Sequence, residues 1–258
     1  ASRYDNRYVD LDYYYRILAA RLKTDTVAPP KGVLLNMGQN VNTPAPDYAP
    51  YLHPTGEMLI FTSRRKDYDL VYPPDMQRNE DLYYVLWEEE YGEWSSARAF
   101  EDVINSRYNE GSGCLNDRAD TLFFVRCDAP DGYGNCDLYL AEWEARKWVR
   151  IQNLGPEINS DDWDSQPSLS PDGQTLYFSS NREGGFGRTD LYASDRQADG
   201  TWGPPRNLGP VINTIEDEVT PFMHPIYNTL YFSSTGHLKN RGGFDIFKSR
   251  NRGDHWET

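Results

Sequence analysis

The sequence predicts an all-β fold, a β-propeller of four-stranded blades. Trp94, Trp148, Trp202 and Trp256 follow one another at intervals of 54 residues. "LFFVR" at 122–126 and "LYFSS" at 176–180 and 230–234 keep that period, as do "INS" at 104–106 and 158–160 and "INT" at 212–214. An earlier copy holds "VNT" at 41–43 and "LIFTS" at 59–63, each 63 residues ahead of its next equivalent, so there are four copies. Four-stranded units at roughly 40–55 residues are propeller blades.

Composition agrees. At 258 residues the chain can bury a sizeable core, and 20 Gly, 17 Pro and 14% aromatic residues suit a turn-rich β fold. The repeated segments lack the i, i+3, i+4 spacing of amphipathic helices. The net charge of −14, from 40 acidic and 26 basic residues without a basic patch, argues against a nucleic-acid partner. No stretch approaches 18 consecutive apolar residues, so no membrane-spanning helix is expected.

Along the chain, residues 1–31 fall outside the repeat. "DLDYYYRILAARLKTD" at 10–25 spaces Leu11, Tyr14, Tyr15, Leu18 and Leu22 as one short amphipathic helix, and "TVAPPKG" follows as a Pro-containing linker. The propeller is expected over 32–258. "GVLLNMG" at 32–38 matches the outer-strand segment "PRNLG", so this orphan strand is expected to complete the fourth blade and close the ring. Within a repeat, "QPSLSPDG" gives the inner strand and a Pro-Asp-Gly turn, and "TLYFSS" the second strand. "NREGGFGR" is a glycine-rich loop, "TDLYASD" the third strand, and "TW" begins the outer one. The nine extra residues of the first copy lie in 64–80.

One face of such a propeller gathers the connections between blades and the loops between second and third strands. There Asp47, Glu110, Asp164 and Glu218 occupy one repeat position, just before the inner strand. Four acids at the channel mouth could hold a hard cation such as calcium. Alternatively, each accepts backbone N–H bonds or pairs with an arginine, locking neighbouring blades. Asp81, Asp137, Asp190 and Asp245 open the third strand and are expected to cap the preceding loop's backbone donors. The repeated tryptophans read as packing anchors between blades.

Two asymmetries point to partner contact: Trp163, which has no equivalent in the other copies, and the longer loop carrying Tyr68 and Tyr72 beside Pro73 and Pro74. No catalytic constellation stands out; His53 and His224 share a repeat position, and no G-x-S-x-G elbow surrounds the serines. Cys127 and Cys136 flank "CDAPDGYGNC" and could be bridged in an oxidising compartment or left free; Cys114 would be a buried thiol.

The pattern "NLGPVINT", "LYFSSTGH", "GGFDIF" resembles the WD40-like propeller repeats of the TolB type. It is similar to repeats in OmpA-family envelope proteins of Bacteroidota, including those linked to type IX secretion. The resemblance covers roughly 33–256. It implies a non-catalytic scaffold in the periplasm or at the cell surface, binding other envelope proteins through its loop face and N-terminal helix. The alternatives are a carbohydrate-active hydrolase or lyase with acids at the channel mouth, and a calcium- or glycan-binding module.

Overall fold

A computed structural model describes residues 35–65, 79–253 and 255–257, with Tyr15, Arg16, Leu18 and Ala19. Those four have helical backbone, with Tyr15 and Leu18 exposed, but no complete helix is among the described elements, and the rest of the expected helix lies outside the described residues.

Four antiparallel sheets follow in chain order. Blade 1 contains β1 (Asp47–Leu52), β2 (Met58–Ser63) and β3 (Asp81–Glu88), with two short outer strands, β4 (Glu93–Trp94) and β5 (Arg98–Ala99), on β3. Blade 2 is β6 (Asn109–Leu115), β7 (Thr121–Cys127), β8 (Cys136–Glu144) and β9 (Lys147–Asn153). Blade 3 is β10 (Asp164–Leu169), β11 (Thr175–Ser180), β12 (Asp190–Asp195) and β13 (Arg206–Asn207). Blade 4 is β14 (Glu218–Met223), β15 (Thr229–Ser234) and β16 (Asp245–Arg250), with no outer strand among the described residues.

Sheets stack face to face, so their middle strands are buried on both sides and read as nearly unbroken apolar runs. Between blades 1 and 2, Ile60 and Leu82 meet Leu122, Phe124 and Tyr139. Between blades 2 and 3, Phe123, Val125 and Leu138 meet Leu176, Phe178 and Tyr192. Between blades 3 and 4, Tyr177 and Leu191 meet Leu230 and Phe232. Three of the repeated tryptophans anchor these junctions, Trp148 6.0 Å from Phe100, Trp202 5.9 Å from Phe123 and Trp256 6.4 Å from Tyr177, whereas Trp94 packs within blade 1, 5.3 Å from Trp87. Cys114 is buried and free, its thiol pushed up to about 12 by that burial, and Cys127 is bonded to Cys136 opposite it on β7 and β8.

Every inner strand carries a bulge at the same place, where Ala49, Ser112, Gln166 and Thr220 adopt φ of 50°, 51°, 57° and 54°. A bulge re-aims the groups around it. The Ser112 N–H donates to Thr62 Oγ1 of blade 1 at 2.9 Å, and the Thr220 N–H to Gln166 Oε1 of blade 3 at 2.8 Å.

Each "I-N-S/T" connector then clamps the blade before it. Asn105, Asn159 and Asn213 accept the N–H of Leu82, Leu138 and Leu191 at 2.9, 2.8 and 2.8 Å. Their Nδ2 groups donate to the same leucines' carbonyls at 2.9, 3.0 and 2.9 Å.

Residues 32–34 of the expected closing strand lie outside the described residues, and among those described the closure is not found. Leu35–Gly38 form no strand, Leu35 is 81% exposed, and the outer edge of β16 is unpaired by any described strand. The reason is local: the segment is tied to blade 1, with Val41 buried against Leu59, Phe61 and Tyr83 and its carbonyl accepting from Arg65 at 2.6 Å.

Replacing Asn159 with Ala leaves the buried Leu138 N–H without its acceptor, while the Leu138 carbonyl keeps the Leu154 N–H at 2.9 Å, so Asn159→Ala should lower the unfolding free energy by about 1–3 kcal/mol. Chemical denaturation checks it, and a loss within error of zero would refute the clamp.

Candidate functional site

The four repeated acids sit where a connector turns into an inner strand, four residues after its Ser or Thr. In each blade that residue closes a cap on the acid: Thr43, Ser106, Ser160 and Thr214 donate their N–H groups to Asp47, Glu110, Asp164 and Glu218 at 2.7, 2.9, 2.6 and 2.6 Å. Their hydroxyls donate to the same carboxylates.

A cation completes three of the four. Arg65 Nη2 reaches Asp47 at 2.7 Å, Arg126 Nε reaches Glu110 at 2.7 Å, and Arg182 Nη2 reaches Asp164 at 2.6 Å. Each guanidinium also donates to a connector carbonyl, of Val41, Ile104 or Ile158. Each lies over two rings, for example 5.1 Å from Phe178 and 4.9 Å from Tyr192 for Arg182. Charge, hydrogen bonds and cation–π contact thus join first strand, second strand and connector.

Blade 4 departs from this. Gly236 stands at the arginine position, its N–H donating to Ser234 Oγ as those of Arg65 and Arg182 donate to Ser63 and Ser180. His237 occupies the guanidinium's place instead: its ring lies 5.6 Å from Phe232 and 4.8 Å from Phe247, with Nε2 2.9 Å from the Ile212 carbonyl oxygen. A donor is required there, so Nε2 carries a proton, as it does in the Nε2–H tautomer and in the imidazolium alike. Burial pushes the His237 pKa down, opposing a charge.

The carboxyls respond. Burial pushes Asp47 up, yet bonds from Ser63, Arg65 and Thr43 outweigh it and hold Asp47 below its ordinary value. Burial raises Glu110 despite Ser106 and Arg126. Glu218 is fully buried and rises to about 7, its bonds from Ser234 and Thr214 only partly offsetting burial.

The structure therefore gives each acid its own partners within the blade. Among the described residues no group of three or more His, Cys, Asp or Glu side chains converges in a way that could hold a metal ion. The arginines were legible only in part: "SRR" and "SNR" place Arg65 and Arg182 two residues past the second strand's last serine, whereas Arg126 comes from within β7.

The glycine-rich loops form the rest of this face. Asp137 accepts the N–H groups of Tyr133 at 2.8 Å and Gly134 at 3.3 Å, and Asp190 accepts those of Phe186 and Gly187. Asp245 does the same for Arg241. Gly134 and Gly187 press on the next connector: a Cβ there would lie 1.8 Å from the Asp162 carbonyl oxygen and 2.3 Å from that of Glu216. The aromatic residues preceding these glycines, Tyr133 and Phe186, are 49% and 43% exposed. Trp163 lies on the same face, bridged through its backbone to Cys136 and partly buried on the cluster between blades 2 and 3. Tyr68 and Tyr72 lie outside the described residues. At the opposite end, a cleft of about 590 Å³ between blades 2 and 3 is lined by Phe123, Trp202, Glu142, Glu157 and Asp172, among others.

The fold and this face define a β-propeller. A TolB-like protein from Agrobacterium tumefaciens is similar at 13% identity over 77% of this chain and 58% of that one, with a TM-score of 0.48. The α-L-arabinofuranosidase from Lactobacillus brevis is 12% identical over 81% and 74%, with a TM-score of 0.50. A GH43_12 protein retrieved from a capybara gut metagenome is 15% identical over 82% and 41%, also at 0.50. The chain thus spans little more than half of the TolB-like protein. No family model matches it, and no curated protein matches it by sequence.

Glu218 makes stability depend on pH. Its folded value of about 7 lies above its ordinary 4.5, so the folded chain holds the extra proton between them. Stability is fully present below about pH 4.5 and falls as the pH rises to about 7, by about 3 kcal/mol for this group. Glu218→Gln should remove that fall, and a Gly236→Arg/His237→Gly double variant should reduce it by setting a cation in the space the imidazole leaves. Melting temperatures from pH 4 to 8 check both; an unchanged slope in Glu218→Gln would refute the assignment.

Proposed function

We propose that this chain is a non-catalytic binding scaffold of the bacterial cell envelope, holding other envelope proteins on its loop face. The supporting observation is the pair Tyr133 and Phe186, half-exposed at equivalent loop positions and held by carboxylate caps and glycine contacts that fix the loops against the next blade. Rigid aromatic side chains lose little conformational freedom on binding, which is what an interface anchor requires. Trp163 extends the same surface. The Cys127–Cys136 bond suits an oxidising compartment such as the periplasm or the cell surface, and the TolB-type and OmpA-family resemblance of the repeats points the same way.

A glycan-directed reading rests on the cleft between blades 2 and 3, where Trp202 and the carboxylates of Asp117, Glu142, Glu157 and Asp172 offer a ring-stacking wall beside hydrogen-bonding groups. Two of the similar solved structures are an arabinofuranosidase and a GH43 protein, at identities that establish the fold alone.

Immobilised chain and a Tyr133→Ala/Phe186→Ala double variant should be compared on detergent-solubilised envelope extract. The variant, with an unchanged melting temperature, should retain at least about tenfold less of the same partner. Equal retention would refute the loop-face reading. Release of sugars from arabinan or xylan by the wild type would replace it with the glycan-directed one.

A further inference from the structure

The blades supply their own comparison for the cleft between blades 2 and 3. Equivalent positions follow from register, because Leu52, Leu115, Leu169 and Met223 pair with Leu59, Leu122, Leu176 and Leu230 across turns of equal length. Four carboxylates line this cleft: Asp117, Glu142, Glu157 and Asp172. Between blades 1 and 2 the same positions hold Pro54, Leu86, Val103 and Arg118. Between blades 3 and 4 they hold Pro171, Asp195, Val211 and Ile226. Of these, Asp195 alone is acidic, and it is paired with Arg206 at 3.4 Å. The packing of a junction therefore does not need the acids; they converge at this one alone.

Little positive charge answers them. Glu142 is paired with Arg150 at 2.6 Å, but Asp117, Glu157 and Asp172 make no ion pair among the described residues. The two arginines lining the cleft are engaged elsewhere. Arg118 Nε lies 3.1 Å from Asp120, and Arg196 lies 6.0 Å over the Trp202 ring with its Nε donating to the Gly200 carbonyl at 3.3 Å. Asp172 is held ionised: the Ser170 hydroxyl donates to it at 2.5 Å and the Gln174 N–H at 3.0 Å, which keeps its pKa below the ordinary value. Beside these charges Leu140, Leu154, Leu169 and Trp202 form an apolar wall. The volume of about 590 Å³ is in the range that ligand pockets occupy.

We infer that this cleft is a second docking site, at the end opposite the loop face, for a basic segment of a partner protein. The segment sets an arginine or lysine among Asp117, Glu157 and Asp172, and lays an aliphatic neighbour against Leu140, Leu154 and Trp202. Charge complementarity selects this occupant. A neutral ligand, a sugar chain included, would cover three carboxylates without compensating them, and an acidic one would be repelled. A wall that mixes aliphatic groups with carboxylates matches long basic side chains, whose methylene stems pack while their heads keep their charge. The site is independent of the loop-face reading, and neither depends on the other.

The probe is the peptide acetyl-Leu-Arg-Leu-Lys-Leu-amide, titrated by calorimetry, with a counterpart carrying Glu for Arg and Lys as the control. The wild type should bind the basic peptide at least about tenfold more tightly than the acidic one. Glu157→Val installs the residue found at both other junctions, and Asp172→Asn keeps an oxygen for Ser170 and Gln174. The double variant should therefore keep the wild-type melting temperature and bind the basic peptide about tenfold more weakly. A diffuse attraction to the net charge of −14 would scarcely respond to the loss of two among 40 acids, so an unchanged affinity would overturn the proposal. So would a wild type that fails to bind the basic peptide, or one that prefers arabinan or xylan fragments, which gives the cleft to a glycan. The Tyr133→Ala/Phe186→Ala variant should bind the peptide as the wild type does; a loss there would move the basic segment to the loop face and overturn the assignment.

Discussion

An asparagine that satisfies both polar groups of one buried leucine is the contact on which the succession of blades depends. Beyond its last pairing with the outer strand, the third strand still turns one residue's N–H and C=O outward, while that residue's side chain is sealed in the junction. Left alone, the N–H would be buried without a partner, and the carbonyl would keep only the N–H of Phe100, Leu154 or Leu208. The carboxamide, with a donor and an acceptor, can serve as a substitute peptide. Asn105, Asn159 and Asn213 do so for Leu82, Leu138 and Leu191. Fixing that residue fixes the next, a Ser or Thr, and through it the acid four positions further on. The face on which function is proposed is therefore built outward from the clamp.

The acids show how a repeated position can diverge in chemistry without diverging in geometry. Asp47, Glu110 and Asp164 are held by guanidinium groups stacked over aromatic pairs. In blade 4 an imidazole fills the same space and satisfies the same carbonyl, but supplies no charge in its neutral form. The packing survives, and the electrostatics do not. Glu218 becomes a buried carboxyl that titrates near neutral pH, in the blade whose sheet has three strands among the described residues.

Much of this was legible in the residues, because recurring side chains reveal recurring jobs. The 54-residue spacing of the tryptophans gave the blades, and Asp137, Asp190 and Asp245 could be read as loop caps from their place after glycine-rich segments. The bulge of each inner strand could not be read: Ala49, Ser112, Gln166 and Thr220 share no chemistry, and none is the glycine that a left-handed backbone usually announces. The closure of the ring misled for a different reason. Counting strands showed that 32–38 could complete a fourth sheet, but the angle at which sheets stack is a property of packing, and no motif encodes it. A pairing arginine was expected for each acid but none was singled out, since Arg126 reaches its acid from inside a strand and Arg65 and Arg182 from beyond one.

The described sheets form an open arc, in which blade 1 packs on 2, 2 on 3 and 3 on 4. A closed ring is secured by its last contact and tends to unfold as a whole. An arc has the cooperativity of a short one-dimensional array, in which each unit is held by its immediate neighbours and terminal units are held from one side only. Stability is then graded along the described blades: the centre, between blades 2 and 3, is held from both sides and opens last.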